Sequence, residues 1–201
     1  MIRFRIAAIV EGHGEVEAVP ILIRRIAADR HPDASVDVNP VLRVPASLLR
    51  KEGDLERRIE YASRKLGGRG AILVLLDCDW EDCCPAEEAP RLLLRARNAR
   101  GDLPVAVVLA KREYEAWFIA SAESLRGKRR LPPDLLPAVD AEAVRGAKEW
   151  LSQHMPRQAP YAETTDQPAM TALFDMAAAR GAADSFDKCY REIAAILDAL
   201  S

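Results

Sequence analysis

Two short acidic groups in this sequence are placed to do chemistry. Asp77-Cys78-Asp79 closes an uninterrupted apolar run, Ala71 to Leu76. Glu11 closes another, Phe4 to Val10, and is followed by Gly12-His13-Gly14-Glu15. Two carboxylates two residues apart on an extended segment point to the same side. Without a counter-ion they repel, and one must take up a proton. A hard divalent cation removes the conflict: Mg²⁺ binds carboxylate oxygen, keeps several waters, and needs only two or three protein ligands. Mn²⁺ suits the same donors. Asp77, Asp79, Glu11 and Glu15 are therefore the candidate metal ligands, with Asp82 as a further contact.

Other candidates surround this set. Lys111-Arg112-Glu113-Tyr114-Glu115 follows a third apolar run, Val105 to Ala110. Lys111 is a candidate to neutralise a scissile phosphate, and Glu113 and Glu115 are candidates to join the acids. Each glutamate also has an ordinary reading; Glu115 can pair with Lys111 or Arg112 one helical turn earlier. His13, on a glycine turn, is either a phosphate contact or solvated. Lys128-Arg129-Arg130, with Arg126, is the best basic patch for a nucleic-acid backbone. Trp117 and Phe118 read as core rather than as a base-stacking platform. Asp-x-Asp alone also occurs in glycosyltransferases and haloacid-dehalogenase-type phosphatases. Here it lies on a middle strand followed by Trp80-Glu81, with no nucleotide-binding signature upstream.

The elements that position these residues alternate. The three apolar runs, and a weaker one at Val36 to Val44 interrupted by Pro40, read as strands. Between them lie helical patterns: one through Val16, Val19, Ile23 and Ile26, then Asp54 to Leu66, stopped by Gly67-Gly68, then about Ala86 to Arg100. Pro20 suits the first helix only in or near its first turn. This order predicts an α/β fold with a mainly parallel sheet flanked by helices. In such sheets ligands bind beyond the carboxyl ends of the strands, where Glu11, Asp77/Asp79 and Lys111/Glu113/Glu115 fall. Gly12 and Gly14 are expected to allow a sharp turn. After residue 121 helical patterns dominate, at about Ala141 to Gln153, Pro168 to Ala179 and Ser185 to Leu200. The chain is expected to divide into a core, 1–121, and a helical extension packed on it, 122–201.

Composition narrows the class. The 201 residues carry a net charge of −2, so any nucleic-acid contact uses a local patch rather than bulk charge. No apolar stretch approaches the roughly 18 residues of a membrane span. Met1 to Arg5 leads straight into the first apolar run, so no signal peptide is expected. The four cysteines (Cys78, Cys83, Cys84 and Cys189) form no Cys-x-x-Cys pair and fit no standard zinc spacing. A cytoplasmic protein with free thiols is the expectation.

Val10-Glu11-Gly12-His13-Gly14-Glu15 resembles the first Toprim motif, a strand ending in Glu-Gly, and Leu75-Leu76-Asp77-Cys78-Asp79 resembles the second. More closely, the chain resembles a group of small uncharacterised bacterial Toprim-like proteins related to OLD-type nucleases. That resemblance extends to Arg112 to Phe118, to Thr165-Asp166-Gln167 and to Ser185-Phe186. It implies a Rossmann-like Toprim core and Mg²⁺-dependent phosphodiester chemistry. Glu11 would act as acid/base or metal ligand, Asp77 and Asp79 would hold the metal, and Glu15 would allow a second one. Without the extra domains of topoisomerases and primases in these 201 residues, the resemblance leads to the expectation of nucleic-acid hydrolysis, with phage defence as its setting. The alternative is a degenerate module that binds metal or nucleic acid, or partners a separate protein effector.

Overall fold

The structure, a computed structural model, describes residues 3–201. Four strands form one sheet: β1 (Arg3–Val10), β2 (Ser35–Arg43), β3 (Ala71–Cys78) and β4 (Val105–Lys111). Their order is β2-β1-β3-β4 and every pair is parallel. The α/β class with a parallel sheet is thus as the alternation implies. Val10 lies opposite Leu75, and Cys78 opposite Lys111, so the carboxyl ends of β1, β3 and β4 are neighbours along one edge. β3 extends two residues past the apolar run, taking in Asp77 and Cys78, and is buried throughout.

The pleat explains the two cores. Ile6, Ala8 and Val10, Leu73 and Leu75, and Ala106, Val108 and Ala110 face one side. Ala7 and Ile9, Ile72, Val74 and Leu76, and Val105, Val107 and Leu109 face the other. The second face is covered by α2 (Ala46–Leu49), α3 (Asp54–Leu66) and α4 (Pro85–Ala99). Gly67 ends α3 at φ 67°, the left-handed conformation that a helix stop of this kind requires.

The first face is covered by α1 (Glu15–Arg30) and by the helices after residue 115: α5 (Ala116–Ala120), α6 (Ala147–Gln153), α7 (Glu163–Thr171), α8 (Met176–Ala182) and α9 (Asp184–Asp198). Side chains from both ends of the chain, Phe4 to Leu197, belong to this one apolar cluster. At its centre Trp117, Phe118, Phe174 and Phe186 contact one another edge-on or tilted, all fully buried. Trp117 and Phe118 are core, as expected.

Local details differ from the sequence reading. Pro20 sits inside α1, in its second turn, and is buried. An interior proline costs on the order of 3 kcal/mol, and the packing of Val19, Leu22, Ile23 and Ile26 against the sheet offsets it. Pro40 lies within β2 without ending it, because β2 is an edge strand; the β1–β2 register shifts between Ile6 and Ala8. Cys78 and Cys83 form a disulfide, which corrects the expectation of four free thiols; Cys84 and Cys189 are free. The turn after β3 brings the two Cα atoms to 5.6 Å despite their closeness in sequence. No helix among the described residues is long and apolar enough to cross a membrane.

Candidate functional site

The carboxyl edge of the sheet carries a group of acids, three buried and one, Glu11, half-buried. Glu11 follows β1 directly, Asp77 lies near the end of β3, and Glu115 ends the turn after β4, at the start of α5. Glu15 stands in the first turn of α1. Glu15 is 1% exposed, Asp77 8% and Glu115 0%, which is rare for carboxylates.

Each acid has a few partners, and two of the four, Glu11 and Glu115, keep a buried oxygen without one among the described residues. One Glu15 oxygen accepts the backbone N–H groups of Glu11 and Gly12, at 2.9 and 3.1 Å. Asp77 accepts the N–H of Tyr114 at 2.8 Å. Glu11 Oε1 accepts the N–H of Ala46 at 3.1 Å, while its Oε2 is buried without a hydrogen-bond partner among the described residues. Glu115 Oε1 accepts from Tyr161 (2.8 Å) and Gln167 (3.1 Å), and its Oε2 is likewise left unsatisfied.

Electrostatics follow from this crowding. Burial raises Glu15 to about 7 against its two backbone hydrogen bonds, and the charges of Glu115 and Glu11 add to the rise. Burial also lifts Glu115 to about 7, although Lys148 and Tyr161 oppose it. Asp77 is pushed well above the usual carboxylate range by burial and then by Glu15 and Glu115. Glu11 is raised by burial and by the nearby charge of Asp79.

The sequence reading missed the residues that close this site from the C-terminal part. Lys148, on α6, places its Nζ 4.0 Å from Glu115 Oε2 and 3.8 Å from Glu163 Oε2. Burial alone would lower its pKa, but Glu115, Asp77 and Glu163 outweigh it and raise it. Glu113 does not join the acids: its carboxylate accepts the N–H groups of Ala147 and Lys148, at 2.6 and 3.2 Å, and so caps α6 and fixes where Lys148 emerges. Tyr161, Glu163 and Gln167 come from the start of α7 and the segment before it. A lone lysine on a short helix gives no sequence signal of this role. The Thr165-Asp166-Gln167 segment was the one available hint.

Gly12 and Gly14 serve closeness rather than an unusual turn, since neither has positive φ. A Cβ on Gly14 would stand 2.3 Å from Gln167 Oε1 and 2.5 Å from the Glu163 carbonyl; one on Gly12 would stand 2.7 Å from Glu163 Oε1. The Gly14 N–H donates to Glu163 Oε1 at 2.9 Å. Glycine here lets α7 reach the acids.

The remaining candidates lie around or away from this group. Asp79 is exposed and, with Trp80, Asp82, Arg112 and Arg145, lines a polar cavity of about 550 Å³. His13 is exposed. Lys111 is half-exposed and reaches Glu142, 3.8 Å away, beside a different cavity lined by Leu109 and Ser185. Arg129 and Arg130 both turn inward onto the buried carboxylate of Asp166, at 2.8 and 2.7 Å. Only Lys128 of that basic run lacks an ion pair in the described structure, and it lines a cavity with Arg25 and Asp175.

The donor set is all hard oxygen, and two buried carboxylate oxygens lack partners, so the residue types fit a hard divalent cation. Their spacing is wider than a loaded site: among the described residues no group of three or more His, Cys, Asp or Glu side chains is close enough to hold a metal ion. Comparison with curated proteins and with solved structures gives no match. A family described as a domain of unknown function, DUF4276, matches residues 10–194, almost the whole chain. The chain belongs to that family.

Proposed function

We propose that this chain is a Mg²⁺- or Mn²⁺-dependent phosphodiester hydrolase of Toprim type, a cytoplasmic nuclease acting in phage defence. One observation carries the reading. Glu11, Glu15, Asp77 and Glu115 are gathered at the strand ends where α/β folds bind ligands; the last three are buried, and Glu11 and Glu115 each keep a buried oxygen with no hydrogen-bond partner among the described residues. A structural role would have satisfied those oxygens; Asp166 in the same molecule is fully satisfied. Acids whose pKa values are strongly raised by burial and by one another often mark a working site.

Glu11, Asp77 and Asp79 would hold the cation, with Glu15 supporting Glu11 through its backbone N–H. When bound, the cation would stabilise charge on phosphate oxygens and lower the pKa of a bound water. Glu11, held half-buried with its pKa raised, is suited to take or return a proton. Arg112 and Arg145, beside Asp79, would draw a nucleic-acid phosphate to the polar cavity.

A second reading has its own support. Lys148 already offsets part of the acidic charge, and the acids are not drawn into ligand spacing. A non-catalytic module that binds metal or nucleic acid, or serves a protein effector, would have that character.

The test is cleavage of labelled single-stranded DNA, duplex DNA and RNA with Mn²⁺ or Mg²⁺. The expected outcome is metal-dependent cleavage that falls by about 10³-fold or more in Glu11→Ala and in Asp77→Asn, with circular dichroism unchanged. Cleavage retained in both variants would sink the mechanism. No cleavage of any substrate by the wild type would favour the second reading.

A further inference from the structure

We propose that the apolar cavity between the first turns of α4 and α9, beside the end of β4, is a second site that binds a guanine nucleotide, with the buried carboxylate of Glu142 accepting the N–H groups of the base. The site is separate from the acids at the strand ends and needs no hydrolase activity.

The cavity measures about 510 Å³, a size usual for small-molecule sites. Its walls are mostly apolar, with Pro85, Ala89 and Pro90 from α4 and Val108 and Leu109 from β4. Such walls suit the faces of a planar ring. Glu142 also lines the cavity, and only 4% of that residue is exposed. Its Oε1 accepts the N–H of Ser185 at 2.8 Å, in the first turn of α9. Ser185 is fixed in turn, its Oγ accepting the Trp117 Nε1–H at 2.9 Å. Capping α9 uses Oε1 and leaves Oε2 over. Oε2 accepts no hydrogen bond among the described residues; Lys111 Nζ stands 3.8 Å away, beyond hydrogen-bonding distance. Nor is Oε2 enclosed by protein, as the orphan oxygens of Glu11 and Glu115 are. It is a fixed acceptor that a ligand can reach.

The acceptor selects the ligand. An ionised carboxylate has no proton to give, so the ligand brings the donors. Lys111 already stands beside Glu142 and would repel a second cation, so neutral donors fit better than an ammonium group. Among the nucleic-acid bases, guanine sets a ring N–H and an amine side by side on its pairing edge. Adenine and cytosine set a bare ring nitrogen beside the amine, which would face the carboxylate's lone pairs. A base without the matching donors leaves the buried oxygen unpaired, and that is a strong basis for rejection. The phosphate falls chiefly to Lys111, which is half-exposed and has a flexible stem. Lys188 shares its charge with Glu192, and Asp184 adds an acid to the rim.

The experiment is calorimetry on the full chain with GMP, AMP and guanosine, wild type beside Glu142→Gln. GMP is expected to bind, guanosine to bind more weakly, and AMP not to bind. Glu142→Gln keeps an acceptor for the Ser185 N–H but loses the charge, and its affinity for GMP is expected to fall about tenfold or more. No GMP binding at millimolar concentration overturns the proposal, as does AMP binding as tightly as GMP. Guanosine binding as tightly as GMP overturns the nucleotide assignment. Unchanged GMP affinity in a folded Glu142→Gln overturns the role of the carboxylate. A second measurement needs only the wild type. Cys84 is a half-buried free thiol that lines the cavity, whereas Cys189 is buried and Cys78 and Cys83 are bonded to each other. Alkylation of Cys84 without reductant is expected to slow severalfold when GMP saturates the protein. An unchanged rate while calorimetry registers GMP binding places the ligand elsewhere and overturns the site.

Discussion

Two buried acidic centres meet α7 at adjacent residues, Asp166 and Gln167, and have opposite electrostatic characters. Asp166 accepts from Arg129, Arg130 and the N–H of Ala162, which together outweigh the upward pull of burial and hold its pKa below the usual range. Its neighbour Gln167 reaches Glu115, one of a group of acids whose pKa values are all raised. The fold can satisfy a buried carboxylate when it needs one for architecture. It has gone further at Asp166, bending Arg129 and Arg130 into left-handed φ of 47° and 67° to deliver both guanidiniums. Against that standard, Glu11 and Glu115 differ: each keeps one buried carboxylate oxygen without a hydrogen-bond partner among the described residues.

The sharpest way to break this contrast is at the satisfied centre. Asp166→Ala leaves two partly buried guanidiniums without their acid and removes the bond to Ala162. The expected loss is about 3 kcal/mol, at the low end for breaking a buried pair because each arginine is about one-third exposed. Urea unfolding at pH 7 measures it. A loss under about 1 kcal/mol would mean that Asp166 is as poorly coupled as the other acids, and the contrast would fall.

The unsatisfied centre should respond to pH instead. Glu15 and Glu115 keep protons in the folded state up to about 7, whereas the unfolded chain releases them near 4.5. Between those values the folded state binds more protons, so the metal-free protein loses stability as pH rises from about 4.5 to about 7 and levels off above. Glu115→Gln keeps an acceptor for Tyr161 and removes a charge. It is expected to flatten that slope and to raise stability at pH 8 by about 1–2 kcal/mol. Unfolding at pH 5 and pH 8, wild type beside variant, gives the answer. A variant less stable than the wild type at pH 8 would show that the Glu115 charge is well compensated by Lys148.

The two centres also differ in how far the sequence discloses them. Strand-end acids are legible because a carboxylate after a buried apolar run has few structural duties; Glu11 and Asp77 were found that way, and the parallel sheet followed from the alternation. Glu115 was visible but ambiguous, since an acid near basic neighbours reads equally as a surface pair. Lys148, Tyr161 and Glu163 were not legible. Lys148 and Tyr161 meet Glu115 from more than 30 residues away in the chain, Glu163 meets the Gly14 N–H from 149 away, and nothing local distinguishes them from solvated side chains. The partner of Arg129 and Arg130 was hidden for the same reason. A basic run on a loop looks like a phosphate contact until the buried acid it serves is known, and Asp166 lies 36 residues past Arg130.

The smallest expected effect tests how Asp166 shares its load. Arg129→Ala removes one guanidinium, yet Asp166 keeps Arg130 on its other oxygen and the Ala162 N–H. A single charged hydrogen bond at a half-open position is worth about 1–2 kcal/mol, and that is the expected loss. Arg130→Ala should cost about the same by symmetry of contact. The double variant should cost more than the sum, because only then is the buried carboxylate left without any cation. A double-mutant cycle by urea unfolding measures this coupling. Strict additivity would mean that each arginine acts alone, as a surface residue would. It would also reopen the idea that Arg129 and Arg130 are held ready for a nucleic-acid backbone rather than spent on the fold.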